Sequence, residues 1–166
     1  MIAYMNTSTF ESIDGHPESI SAQSVICRML DGLGFRFYWA TLGLNEEDFE
    51  FSPAPERWNI LETVNHIQGL MLWIHRSLFE KEDIPPGTGM EKVNQILELI
   101  GQLRTKFAAI NDSELDTYRL RGRPFWNLIN GPIEDAVYHT GQIDTLRRIA
   151  GNPPQDPDFF AGAPPR

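Results

Sequence analysis

The chain has 166 residues, a formal net charge of −9 and a hydrophobic share of 41 %, which suits one domain with one core. Such an acidic chain has no basic stripe with which to displace counterions from nucleic-acid phosphates, and anionic membranes repel it, so neither is an expected partner. A single cysteine excludes an intramolecular disulfide and a zinc ribbon.

Residues 1–18 are polar and aperiodic and read as a loose arm, with His16 solvated and without a role. The first helix is expected from Ser19 to Thr41, where Ile26, Met29, Leu30, Leu33, Phe37 and Ala40 recur at steps of three and four. Gly32 and Gly34 lower its propensity and offer close packing instead. Cys27 lies among apolar residues and reads as a buried, inert thiol. The acidic stretch from Gly43 to Arg57 holds Pro53 and Pro55 and reads as a loop.

A capping box, Asn59 with Glu62, opens the second helix. Ile60, Val64, Ile67, Met71, Ile74 and Leu78 form its seam, and it is expected to end near Lys81, ahead of Pro85 and Pro86. Thr88 and Glu91 make a second capping box. The third helix comes next with Val93, Ile96, Leu97, Ile100, Leu103 and Phe107, fading near Ala109. Residues 112–129, with the segment YRLRGRPFW, form a connection long enough to be a crossover, with room for a short extended piece. The fourth helix begins at Asn130-Gly131-Pro132 and stops at Gly151. The tail over 152–166 is rich in Pro and Gly and is expected to drape over the surface. No apolar run spans a membrane and no signal peptide is visible. The expected class is therefore an all-α single domain, a four-helix bundle with a crossover between its third and fourth helices, in the cytoplasm.

The candidate chemistry lies on the second and fourth helices. His139 stands within an apolar stripe, and a core histidine must satisfy two ring nitrogens. Asp135 is four residues earlier, about 40° away on the helical wheel, and Gln142 falls on the same face. His66 sits between the seam residues Val64 and Ile67. His75, nine residues further on, is half a turn around the axis and is expected to face solvent. Two imidazoles and a carboxylate make a facial triad that leaves metal positions open to water or substrate. The same spacing also suits a plain Asp–His hydrogen bond and a satisfied core histidine, and spacing alone does not choose between them. Glu62 reads as a helix cap rather than a ligand. Arg147 and Arg148 read as partners of the helix dipole rather than of an anionic substrate. Trp58, Trp73, Phe125 and Trp126 read as core, and Tyr138 as packed between helices.

Two segments carry a family resemblance. ERWNILETVNHIQGL resembles the second helix of the DinB/YfiT-like family, and NGPIEDAVYHTGQIDTLRRIAGNP, above all HTGQI with LRR and G, resembles its last helix. The first and third helices match in pattern only. The family shares no more than a name with a translesion polymerase. The resemblance implies a four-helix bundle, a homodimer, and a divalent metal on three histidines, one from the second helix and an H-x-x-x-H pair from the fourth. Carried over, these positions are His66, 135 and His139, and the middle one is here Asp135. A carboxylate is a harder ligand, so the metal preference is expected to move from zinc or nickel toward iron or manganese, or the site is degenerate. Some members are thiol-dependent transferases or isomerases. The implied function is a divalent-metal-dependent transferase or hydrolase that acts on a small molecule through a metal-activated thiol or water. The alternative is a non-enzymatic stress-response bundle that binds metal, a small ligand or its own copy.

Overall fold

In the computed structural model of the protein, residues 7–79 and 83–166 are described. The fold is mostly helical, built on long helices α1 (Ala22–Thr41), α3 (Ile60–Leu78), α4 (Gly89–Ala108) and α7 (Glu134–Ala150). Short pieces fill the connections: α2 (Glu46–Phe49), α5 (Asp112–Leu115), β1 (Arg119–Leu120), β2 (Arg123–Pro124) and α6 (Trp126–Leu128). Helix α1 packs on α4 and α7, and α3 packs on the same two helices. The seam residues Ile60, Val64, Ile67, Met71 and Ile74 of α3 are all 0 % exposed, so the periodicity of the sequence is the periodicity of the core. Burial of each such side chain contributes about 1.5–3 kcal/mol relative to exposure. No helix among the described residues is long and apolar enough to cross a membrane.

The helix starts are set by their caps. The Asn59 side chain accepts from the Glu62 amide at 2.8 Å, and the Glu62 carboxylate accepts from the Asn59 amide at 2.9 Å. Thr88 and Glu91 form the second capping box. Ser21 caps α1 through Ser24, which sets its first residue three positions beyond the expected Ser19. The expected end of the second helix near Lys81 lies outside the described residues; the described helix closes at Leu78.

The connections hold more structure than their composition announces. Residues 112–129 contain α5, α6 and the antiparallel pair Arg119–Leu120 with Arg123–Pro124, which is the extended piece expected there. The hairpin lies against α3, and Arg121 stacks its guanidinium 4.9 Å over the Trp73 ring. The described part of the N-terminal segment is anchored at Phe10, which is 6 % exposed. Phe10 lies on Gly34, where an added Cβ would come within 2.3 Å of the phenyl ring. Gly34 thus gives the close packing that its residue type offered, whereas Gly32 has nothing near it among the described residues. The Ile13 amide donates to the Gly162 carbonyl at 2.8 Å, which ties this segment to the C-terminal tail.

Two expectations on α3 and α7 are corrected. His75 is fully buried, with Nε2 3.2 Å from the Leu99 carbonyl of α4 and its ring edge-on to Phe79. Half a turn from His66 is not solvent, because α3 is covered by α4 as well as by α7. Arg147 is only 2 % exposed and is not a surface dipole partner. Its guanidinium donates to the carbonyls of Ala40, Leu42 and Asn152 at 2.9, 2.9 and 3.0 Å, tying the end of α7 to the end of α1. Burial pushes its pKa down, opposed by the nearby charges of Asp48 and Asp144. Arg148 is held on the surface by Asp144 and Asp156, whose hydrogen bonds push its pKa up.

Candidate metal centre

The chain enters α7 through a wide π-type turn, Ile129–Ile133, in which Gly131 takes a non-helical conformation and Pro132 removes a backbone donor. This turn sets the phase of α7. Asp135 sits in the first turn of that helix, and His139 lies one turn later. Across from them, the Asn59 cap fixes the start of α3 and so places His66 in its second turn.

The two helices bring the three side chains together. His66 Nε2 lies 3.0 Å from Asp135 Oδ2, and His139 Nε2 lies 3.4 Å from Asp135 Oδ1. One donor atom from each residue falls within 4.8 Å of both others. Donors ~2.0–2.3 Å from a shared ion stand roughly 3–3.7 Å apart in tetrahedral or cis octahedral positions. The two short carboxylate–imidazole separations lie in that range but run to different carboxylate oxygens, so the three residues make a donor set that could hold a divalent cation once the side chains close on it. The side chains of His66, Asp135 and His139 are 33 %, 43 % and 12 % exposed. The cluster is therefore open on one side, and ligands other than protein have access to it.

The surroundings fix the donors. Gln142 Oε1 lies 2.7 Å from His139 Nδ1 and accepts its proton. In the neutral ring this leaves Nε2 as an unprotonated donor atom, aimed at a carboxylate oxygen. At 3.4 Å from Asp135 Oδ1, that nitrogen is placed to share either a proton or a metal ion with the carboxylate. Aromatic rings hold the imidazoles in place. His66 and His139 meet edge to face at 4.4 Å, Trp58 stacks on His139 at 5.5 Å, and Tyr138 meets His139 edge-on at 5.2 Å. Glu62 is engaged in the α3 cap and does not join the cluster.

Three aromatic assignments change. Trp58 is 47 % exposed and belongs to the cluster rather than to the core. Tyr138 and Trp126 are 64 % and 71 % exposed, so neither is packed between helices. The position of Trp58 directly before the α3 cap was the available signal, since a residue there lies about two helical turns ahead of His66, at the same end of α3. Cys27 is buried and its Sγ faces the Arg104 carbonyl at 3.7 Å, as an inert thiol should be.

The chain matches no protein-family model, no curated protein and no solved structure.

Proposed function

We propose that the protein is a four-helix bundle of the DinB/YfiT-like kind that holds a divalent cation on His66, Asp135 and His139 and carries out nucleophilic transfer or hydrolysis on a small molecule. The observation that carries this reading is the convergence of His66, Asp135 and His139 from two helices, with His139 Nδ1 engaged by Gln142 and its Nε2 turned to Asp135. A divalent ion in such a site acidifies a bound water or thiol and so supplies a nucleophile near neutral pH. The chain's own residues do the rest. Gln142 holds the His139 tautomer, Asp135 bridges two helices, and Trp58 and Tyr138 keep the His139 ring from turning. The half-exposed edge of the cluster admits substrate from solvent. Two imidazoles and a carboxylate suit zinc, and suit iron or manganese better than an all-histidine set does. In this reading the protein works in the cytoplasm as a homodimer.

Metal analysis of untagged protein purified without chelator tests the reading, together with titration of the metal-free protein with zinc, iron(II) and manganese. The expected result is one ion per chain, lost in Asp135→Ala and retained in Asp135→His. Absence of any divalent ion in both experiments would overturn it.

One observation favours a second reading, a non-enzymatic stress-response bundle. The His66 imidazole and the Asp135 carboxylate already satisfy one another at 3.0 Å without an ion. Under that reading Asp135→Ala changes neither metal content nor any activity.

A further inference from the structure

A cleft of about 790 Å³ opens beside the cluster, between the turn at residues 53–58 and the outer side of α7. Its volume lies within the range of small-molecule sites. His139 and Gln142 are among its lining residues, so the cleft shares His139 with the candidate metal centre. Trp58, Tyr138, Leu146 and Ile149 form apolar walls, and Trp58, Tyr138 and Ile149 are 47 %, 64 % and 59 % exposed. Flat apolar surface is thus left in water on two sides of one concavity, and a ligand that covers it gains by the area it removes from water.

The polar side of the cleft carries one guanidinium and one carboxylate, Arg57 and Glu56. Arg57 lines it, and among the described residues its guanidinium has no hydrogen-bond or ion-pair partner, although its backbone is held on both sides. The Arg57 amide donates to Ala54, and its carbonyl lies 2.9 Å from the Ser52 hydroxyl. The turn is shaped by Glu56 in the left-handed region at φ 61°, and Glu56 lines the same cleft. A planar guanidinium with free donors matches a carboxylate or a sulfonate in geometry and charge. A second negative charge on the ligand would meet Glu56.

We infer that this cleft binds a small monoanion with a flat apolar body, its acid group on Arg57 and its body against Trp58, Tyr138 and Ile149. Its reactive end would then lie at His139, and Arg57 becomes the residue that selects the substrate class. Only the reaction rests on the metal reading, because none of the walls of the cleft needs an ion to form.

The test uses the full chain, freed of metal, with two fluorescent probes that share a ring system. One is 1-anilinonaphthalene-8-sulfonate, and the other is N-phenyl-1-naphthylamine, which lacks the sulfonate. The sulfonate probe is expected to bind about tenfold more tightly than the neutral one, a difference of the size that one charge-assisted contact gives. Arg57→Gln should abolish that preference and leave the neutral probe within about twofold. Ile149→Ser should weaken both probes, and tryptophan-to-probe energy transfer should drop in Trp58→Phe more than in Trp126→Phe, because Trp58 lines the cleft and Trp126 does not. These positions are on the surface, so the variants keep the fold. Equal binding of the two probes overturns the inference, as does a preference that survives Arg57→Gln, or a signal lost only in Phe160→Ser, at an apolar side chain far out on the tail. Zinc titration of the same samples separates the two readings. A zinc isotherm without probe binding removes the cleft alone, and probe binding without a zinc isotherm removes the metal alone.

Discussion

Helix α7 carries a polar cluster at each end, and the two are built in opposite ways. At its C-terminal end Arg147 is almost wholly buried, and its Nε and Nη1 donate to the Asn152, Ala40 and Leu42 carbonyls. The Asn152 amide in turn donates to Asp48 at 2.7 Å. At 2 % exposure Arg147 offers almost no surface to a ligand. At its N-terminal end Asp135 and two histidines are partly exposed, and both imidazoles turn a ring nitrogen to the one carboxylate. Both ends gather polar groups inside a helical array. Only the one with an opening to solvent and metal-ligating side chains is a candidate site, and the other is a fastening.

The largest expected effect tests the fastening. Arg147→Ala strands buried carbonyls at the ends of two helices, so it should cost about 3–5 kcal/mol of stability. For a domain of this size that lowers the melting temperature by roughly 10 °C, read by calorimetry or urea unfolding. Zinc affinity of the folded variant should stay within about twofold of wild type, well inside the tenfold that 1.4 kcal/mol represents. If Arg147→Ala also loses metal, the two ends are coupled and the contrast between them fails.

Next comes the site itself. An ion present at about 100 times its Kd adds about 2.7 kcal/mol to the native state. Chelation should therefore lower the melting temperature of loaded wild type by several degrees, roughly 2–4 °C for each kcal/mol. Asp135→Ala should melt at one temperature with and without chelator. A wild-type protein that holds metal but shows no chelator shift would break the link between this cluster and the ion.

Gln142→Leu sharpens the reading of the His139 tautomer. Loss of the group that orients a ligand typically costs about 10- to 100-fold in metal affinity. The metal-free variant should be nearly as stable as wild type, because Gln142 is only partly buried. Equal affinity in an isothermal titration would show that the tautomer is held in some other way.

The smallest effect lies away from both ends. Burial pushes the Cys27 thiol above its ordinary pKa of 9.0. Its thiolate fraction at neutral pH is thereby reduced, and iodoacetamide should label native protein far more slowly than unfolded protein. The raised pKa also fixes a sign. The stability linked to this thiol is fully present below its ordinary pKa and is lost as pH rises through the higher folded value. Urea midpoints measured from pH 8 upward should decline accordingly and decline less in Cys27→Ala, where the raised pKa values of Tyr38 and Tyr118 still act.

Much of this was legible in the sequence where the signal is local. Capping pairs such as Asn59 with Glu62 announce a helix start to the residue, because both partners lie within one turn. The i, i+4 spacing placed Asp135 and His139 on one face for the same reason. His75, Arg147 and Trp58 escaped because their surroundings come from far along the chain. Wheel arithmetic puts His75 opposite His66 correctly, but it cannot say that α4 covers that side. Arg147 reads as a surface cation until the end of α1 arrives to use it. The π-type turn before Asp135 has no signature beyond Gly131-Pro132, which reads equally well as an ordinary helix start.

The Arg147 contacts also order events in time. The carbonyls of Ala40 and Leu42 at the end of the first long helix wait for a donor 107 and 105 residues later in the chain. During synthesis at about 5–20 residues per second, that interval is roughly 5–20 s. Through it the end of α1 is closed only by local bonds, the Leu42 amide to the Tyr38 carbonyl and the Thr41 hydroxyl to Phe37, while α4 is already there for both α1 and α3 to pack on. His66 likewise meets Asp135 only after a further 69 residues have emerged. The helix made first thus gains its last tertiary partner only when α7 is complete.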